Sequence, residues 1–323
     1  MNEPNSLELS KAAFNQIPIA HVHIFLVLST LLENKTITTQ NRPLRILDIG
    51  CGDGRLIDSL MRLSRSEIPN TPLEIYGFDI GEQGYQDGAQ KNEAELYLEI
   101  HHPGIVWKDR IKIISGDARW GYDEGFFDMA VSNQVIEHVR DFELFMENFR
   151  HSVSSEGASI HLFPMYHCIQ EAHCHVPFAH WISNFDYRVA WIALMSRLGI
   201  GRYQKHRVVL GHSTPEIHAQ ETAKYIQCWT TYRTFAQIAE TCRNKSLAIS
   251  YHFTKDFFLT KLRRIAGLPP AKRYRKWTFL GLEWLSFTIG KHLSSSTLVI
   301  RPLHYDIGAR IAAEKAAMNR SNS

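Results

Sequence analysis

A doubly wound α/β architecture, an open and mostly parallel β-sheet with helices on both faces, is what the sequence predicts. Three observations predict it. Between residues 43 and 165, short apolar runs alternate with segments of helical periodicity. The first strand-to-helix junction, LDIGCGDGR (47–55), is dense in glycine. Acids and amides recur at the ends of later strands, where the ligands of such sheets bind.

Each element follows in order. MNEPNSLELSK (1–11) carries acids and no basic run, so no secretory leader is expected. IPIAHVHIFLVLSTLL (17–32) holds two histidines and is short for a membrane span; it is expected as a helix lying over the domain. PLRILDIG (43–50) ends at glycine, as a buried parallel strand does. In 55–63, Leu56, Ile57, Leu60 and Leu63 fall on one helical stripe. Further strands are expected at 73–80, 111–118, 126–133 and 158–165, with a helix over 141–153. Residues 183–235 read as mostly helical, 231–242 have helical periodicity, and strands at 247–254 and 296–303 close the pattern. The expected organisation is an N-terminal helical cover (1–42), a core (43–165), a helical lid and substrate segment (166–235), C-terminal strands (236–304) and a tail (305–323). A basic and aromatic helical insertion (255–295) interrupts the C-terminal strands.

The composition narrows the function. With 323 residues, 44% of them hydrophobic, the chain can bury a sizeable core without staples. A net charge of +3 is too mild to predict nucleic-acid binding. Five cysteines without disulfide or zinc-ribbon spacing read as the reduced thiols of a cytoplasmic protein. In the insertion, Lys261, Arg263, Arg264, Lys272, Arg273, Arg275 and Lys276 precede Trp277, Phe279, Trp284 and Phe287. That order suits peripheral contact of 261–290 with an anionic membrane, and equally a solvated helical pair packed on the sheet.

Gly50, Gly52 and Gly54 sit where a strand turns into a helix, and glycine there lets backbone approach a ligand closely. Asp79, at the end of the next strand, can accept hydrogen bonds from both hydroxyls of a ribose. A dinucleotide loop reads G-x-G-x-x-G. This one reads G-x-G-x-G, with Asp53 close to where a pyrophosphate would lie, and an acid repels that group. A sulfonium ligand meets no such objection. YHFTK (251–255) matches a reductase-like Y-x-x-x-K, but near a strand end its two side chains would not share a helical face.

Taken together, LDIGCGDGR, GFDIG, ISGDA and FDMAVSNQVIEHV resemble successive motifs of the class I S-adenosylmethionine-dependent methyltransferases, over about residues 43–165. The resemblance implies a Rossmann-like fold with S-adenosyl-L-methionine as methyl donor. It sets the glycine loop under the methionine part of that cofactor, with Asp48 ordering the loop and Asp79, followed by Ile80, holding the ribose. Asp117 and Ala118 would meet the adenine, Asn133 and Gln134 would floor the site near the sulfonium, and Glu137 and His138 would shape that floor. The N-P-P-Y motif of nucleobase amino-methyltransferases is absent, SNQV (132–135) standing in its place, so no nucleic-acid substrate is expected.

Beyond the fifth strand comes HCIQEAHCHVPFAHW (167–181). Its E-x-H and P-F-x-H-W resemble a subset of bacterial methyltransferases linked to envelope sugars and lipids. On that likeness His173 and His180 are the candidate bases or substrate ligands, Glu171 orients one of them, and Phe178 and Trp181 supply an apolar wall. His167, Cys168, His173, Cys174 and His175 lack metal-ligand spacing, and no metal is expected. The expected reaction is O-methylation of a small molecule, glycan or lipid-linked intermediate by in-line transfer. The alternatives are a nicotinamide-dependent oxidoreductase or epimerase, or a non-catalytic cofactor-binding protein.

Overall fold

The computed structural model describes residues 16–34, 42–80, 89–116, 118–269, 271, 273–274 and 280–303, and for 89–92 and 280–282 the backbone alone. The described residues contain one seven-stranded sheet of order β3-β2-β1-β4-β5-β7-β6. Its strands are β1 (Leu44–Ile49), β2 (Leu73–Ile80), β3 (Ile111–Ile114), β4 (Phe127–Asn133), β5 (Val153–Phe163), β6 (Leu247–Ser250) and β7 (Ser296–Pro302). The first five pair in parallel, while β7 runs antiparallel between β5 and β6. This is the doubly wound, mostly parallel sheet that the alternation predicts. Strand order reverses between β1 and β4, and a crevice opens at the carboxyl ends of the strands there.

The sheet separates two apolar cores. One face buries α1 (Ile19–Glu33), α2 (Arg55–Glu67), α3 (Ala89–His101) and α9 (Thr254–Ile265) around Phe25, Leu60 and Trp107. The other buries α4 (Phe142–Ser152) and α8 (Phe235–Asn244) around Phe145, Phe149 and Ile238. Helix α1 is apolar nearly all round and accordingly buried. Its His23 bonds Tyr274 Oη and Thr297 Oγ1, both at 2.7 Å, tying the cover to β7. A third, separate cluster joins Cys174, Val176 and Ala179 to α5 (Phe185–Arg197) and α7 (Pro215–Trp229). Between those helices lies the short α6 (Tyr203–Val209).

Several boundaries differ from the sequence reading. Strand β5 begins at Val153 rather than 158, because α4 runs straight into it and the ladder with β4 jumps from Phe127↔Val153 to Met129↔Ala158. Gly157 makes this bulge feasible, since a Cβ there would stand 2.7 Å from the Asp128 carbonyl oxygen. The strand expected over 111–118 stops at Ile114. Helix α8 starts at Phe235 rather than 231, where Thr234 and Gln237 form a capping box. Residues 247–254 divide into β6 and the start of α9.

In the basic insertion, Lys272, Arg275, Lys276, Trp277 and Phe279 lie outside the described residues. Of the others, Lys261 donates to Ser294 Oγ, Arg263 to the Pro269 carbonyl and Arg264 to the Ile17 carbonyl, while Arg273 pairs with Glu33 at 2.9 Å. Helix α10 (Leu280–Leu293) completes the insertion. Among the described residues no helix is long and apolar enough to cross a membrane.

Candidate active site

Gly50, Gly52 and Gly54 all adopt left-handed backbone, with φ of 68°, 51° and 79°. The resulting turn points its amides at β2: Gly50 and Cys51 donate to the Phe78 carbonyl, and Gly52 donates to Asp79 Oδ2 at 2.7 Å. The other oxygen of Asp79 accepts the Ile80 amide, also at 2.7 Å. Burial raises the Asp79 pKa, and the two amides offset part of that rise. Asp48 lies under the loop, fully buried, and neither of its carboxyl oxygens accepts a hydrogen bond. Its pKa is pushed well above the usual carboxylate range by burial first, then by the charges of Asp79 and Asp53.

Beside this loop opens a cavity of about 470 Å³, lined among others by Gly50, Asp79, Ile80, Trp120, Gln134 and His138. Gln134 has left-handed backbone (φ 60°), and its side chain donates to Ser295 Oγ at 3.1 Å. Asn133 sits deeper, outside the lining, with a buried Oδ1 that has no partner. Asp117 lies outside the described residues. The amide of Ala118 donates to the Ser115 carbonyl and its own carbonyl accepts from Asn148; Ser115, Gly116 and Asn148 line the cavity there.

The residues present fit S-adenosylmethionine. The carboxylates of Asp53 and Asp79 around one turn, with Asp48 buried beneath it without a donor, favour a ligand bearing an ammonium and a sulfonium, and oppose a pyrophosphate. The left-handed glycines keep the approach to the backbone clear.

Behind His138, and outside the cavity lining, 167–181 forms a tight loop that ends in a single 3-10 turn (Ala179–Trp181), closed by the Gln170↔Pro177 bridge and fastened to α10 by the Ile169 amide on the His292 carbonyl. Three of the four described non-glycine residues with positive φ, Gln134, His175 and Phe178, belong to this site. At the loop's centre Glu171 is fully buried and accepts from four donors: the amides of His173 and Cys174, the ring Nδ1 of His173 at 2.8 Å, and the hydroxyl of Tyr232. Burial alone would push its pKa up. The His173 and Tyr232 bonds and the Cys174 amide hold it at about 2 instead. Glu171 is therefore a carboxylate, and His173 faces it with Nδ1–H.

The Nε2 of His173 stands 3.3 Å from the Nε2 of His138, which lines the cavity. Because His138 Nδ1 must donate to the Trp229 carbonyl (2.7 Å), its Nε2 carries a lone pair. With both rings neutral, two lone pairs face each other, an arrangement that is favourable only with a proton, a hydroxyl hydrogen or a cation between them. Burial lowers the pKa of His138. Adjacent Glu137 is buried without a partner for either oxygen, and burial raises its pKa to about 8. Glu137, His138 and His173 each present one donor atom within 4.8 Å of the others, so they could also hold a cation. Of the five candidate ligands weighed in the 167–175 segment, only His173 enters that group.

His180 is placed differently. Its Nε2 donates to the Tyr166 carbonyl at 3.1 Å, its Nδ1 is buried without a partner, and its ring lies against Tyr232 rather than the cavity. Trp181 donates to the same carbonyl and packs on Phe178. Sequence reasoning did not single out Tyr232, Tyr225 or Trp229, and it gave His138 a shaping role only. Tyr225 rests against the rings of both His173 and His138. Their only signal in the sequence is that aromatic residues cluster at 225–232.

A family model described as a methyltransferase domain matches residues 23–206. Among curated proteins, the ubiquinone biosynthesis O-methyltransferase of Pelagibacter ubique is 23% identical over 161 residues, 48% of this chain and 55% of that protein. The mitochondrial ubiquinone biosynthesis O-methyltransferase of Rattus norvegicus is 25% identical over 36% of this chain and 30% of that protein. The alignments thus span about half and under a third of these relatives. Solved structures similar to the chain include phosphoethanolamine N-methyltransferase 2 of Haemonchus contortus with S-adenosyl-L-methionine. That match has 14% identity and TM-score 0.42, covering 85% of this chain and 52% of that one. Another is geranyl diphosphate C-methyltransferase from Streptomyces coelicolor A3(2), at 11% identity and TM-score 0.42, covering 93% and 86%. The family match covers more than half of the chain, and the glycine turn, Asp79 and every residue lining the cavity except Trp229 fall within it; the chain belongs to the methyltransferase-domain family.

Proposed function

We propose that the enzyme methylates a hydroxyl oxygen of a small molecule, glycan or lipid-linked intermediate, and that His173 and His138 receive the hydroxyl proton. The observation that carries this reading is the pair of facing imidazole nitrogens, of which His138 lines the cavity and His173 stands behind it. The names of the curated relatives, both O-methyltransferases, agree with it.

S-adenosylmethionine, when bound, supplies a methyl group on a positively charged sulfur, already a good leaving group. The chain's residues do the rest. Asp79 takes the ribose hydroxyls, with Ile80, Asp117 and Ala118 on the adenine side. The 50–54 turn, with Asp48 beneath it, takes the methionine part, and Gln134 and Asn133 floor the reacting end. Holding the acceptor oxygen in line can supply about 7–11 kcal/mol, and removal of its proton a further ~10²–10⁴-fold in rate. Glu171 fixes the His173 tautomer and stabilises the imidazolium once the proton arrives. His180, Trp181 and Phe178 form the layer that supports Tyr232 and this loop. In this reading 43–165 is the cofactor core, 1–42 its cover, and 166–235 the segment that selects the acceptor. Residues 236–304 complete the sheet. We do not extend the reading to a membrane surface, since the described cations of 261–290 already bond protein groups.

The test is incubation with methyl-labelled S-adenosylmethionine and a panel of phenolic, sugar and lipid-linked hydroxyl compounds, with the label located by NMR. Label in a methyl ether supports the reading. Label on nitrogen or carbon, with the hydroxyl left free, overturns it.

A further inference from the structure

The segment KHRVVLGHSTPEIH (205–218) spaces three histidines evenly, H-x5-H-x5-H. The fold brings them together away from the cofactor cavity. His206 comes from α6, His212 from the turn after it, and His218 from the first turns of α7. Left-handed Gly211 (φ 71°) reverses the chain, and Thr214 caps α7 with Pro215 in its first turn. One ring nitrogen from each histidine lies within 4.8 Å of the other two. His212 Nδ1 and His218 Nδ1 are 3.0 Å apart. Both His206 Nδ1 and His218 Nε2 are buried without a hydrogen-bond partner.

We propose that His206, His212 and His218 form a zinc site that pins α6 and the following turn onto α7. Three imidazoles are borderline-soft donors suited to Zn²⁺. Bonds of about 2.0–2.1 Å in tetrahedral geometry put neighbouring ligand nitrogens roughly 3.3 Å apart. One pair already stands near that distance, and side-chain rotation on the order of 1 Å brings in the third. Among the described residues no thiol or carboxylate joins the three, which leaves the fourth position to water. Arg202 and Lys205 place positive charge nearby and moderate the affinity. The site backs onto the loop that carries His173: the amide of Arg202, the residue just before α6, donates to the Cys174 carbonyl. A metal there would stiffen the segment that carries His173.

The chelator-stripped full chain is titrated with Zn²⁺ alone, desalted, and its metal content measured alongside its melting temperature. The expected result is about one zinc retained per chain with a raised melting temperature. His212→Ala, in the turn between α6 and α7 where the side chain is half-buried, should retain none while keeping the metal-free melting temperature and circular dichroism of the parent. His206→Gln is the second variant should that one fail to fold. His173→Ala should keep its zinc, which separates this site from the Glu137, His138 and His173 group. A parent chain that retains no zinc overturns the proposal. So does zinc retained by His212→Ala and lost by His173→Ala.

Discussion

His173 is oriented by a carboxylate that four donors hold ionised, so its role is separable from cofactor binding. We expect His173→Ala to lower kcat by about 10²-fold or more, within the range for a general base, and to change S-adenosylhomocysteine affinity less than twofold. Equal turnover in the variant would remove the base role. Tyr232→Phe should cost less, since Glu171 keeps three of its donors. Glu137 yields an opposite kind of prediction. Its folded pKa of about 8 exceeds the ordinary 4.5, so between those values the unfolded chain holds fewer protons and stability falls as pH rises. Glu137→Gln should therefore melt higher than the parent at pH 8, with the gap closing toward pH 4.5. A gap that is flat with pH would show that Glu137 is not a buried neutral acid.

The glycine turn is the element on which the proposed cofactor binding depends. A Cβ at Gly50 would stand 2.5 Å from Val135 Cγ2, at a φ that side chains rarely adopt. Gly50→Ala is expected to weaken S-adenosylhomocysteine binding more than tenfold by calorimetry and to destabilise the fold by about 1–3 kcal/mol. At Gly52 the nearest atom to an added Cβ is Asp79 Oδ2 at 4.0 Å, so Gly52→Ala should cost the fold less. Comparable losses in both variants would place the cost in backbone strain rather than in the Val135 contact. At this scale the sequence was legible because turn chemistry is local: the G-x-G-x-G run forms a left-handed turn after β1 and meets Asp79 at the end of β2. The start of β5 was not legible, because a bulge depends on the neighbouring strand.

Across the whole molecule, neutral histidines are built into the packing. His23 has its pKa lowered to about 3 and His21 to about 4, in both cases by burial, and His161, between Ser132 and Ser159, falls to about 3. Each folded value lies below the ordinary 6.5. From 6.5 down to about 3–4 the unfolded chain takes up protons that the folded chain refuses, so stability is full above 6.5 and is lost as pH falls. The melting temperature should drop steadily from pH 6.5 to 4. His23→Asn should flatten that slope, although it lowers stability at pH 7 by breaking the link to Thr297 and Tyr274. An unchanged slope would mean that His23 is not part of the acid response.

What the sequence alone determined was whatever a short stretch of chain can encode. The alternation of strands and helices, the left-handed glycines, the acid at the end of β2 and the nearness of Glu171 to His173 all rest on short stretches of chain. The tertiary structure decided which side chains meet across long separations. His138 reaches His173 through the turn after β4, and Tyr232 joins Glu171 from 61 residues away. His180, equal to His173 as a motif residue, is turned onto a carbonyl instead. Periodicity and turn propensity act through neighbours in the chain, whereas the contacts that make a proton acceptor depend on how separate elements pack.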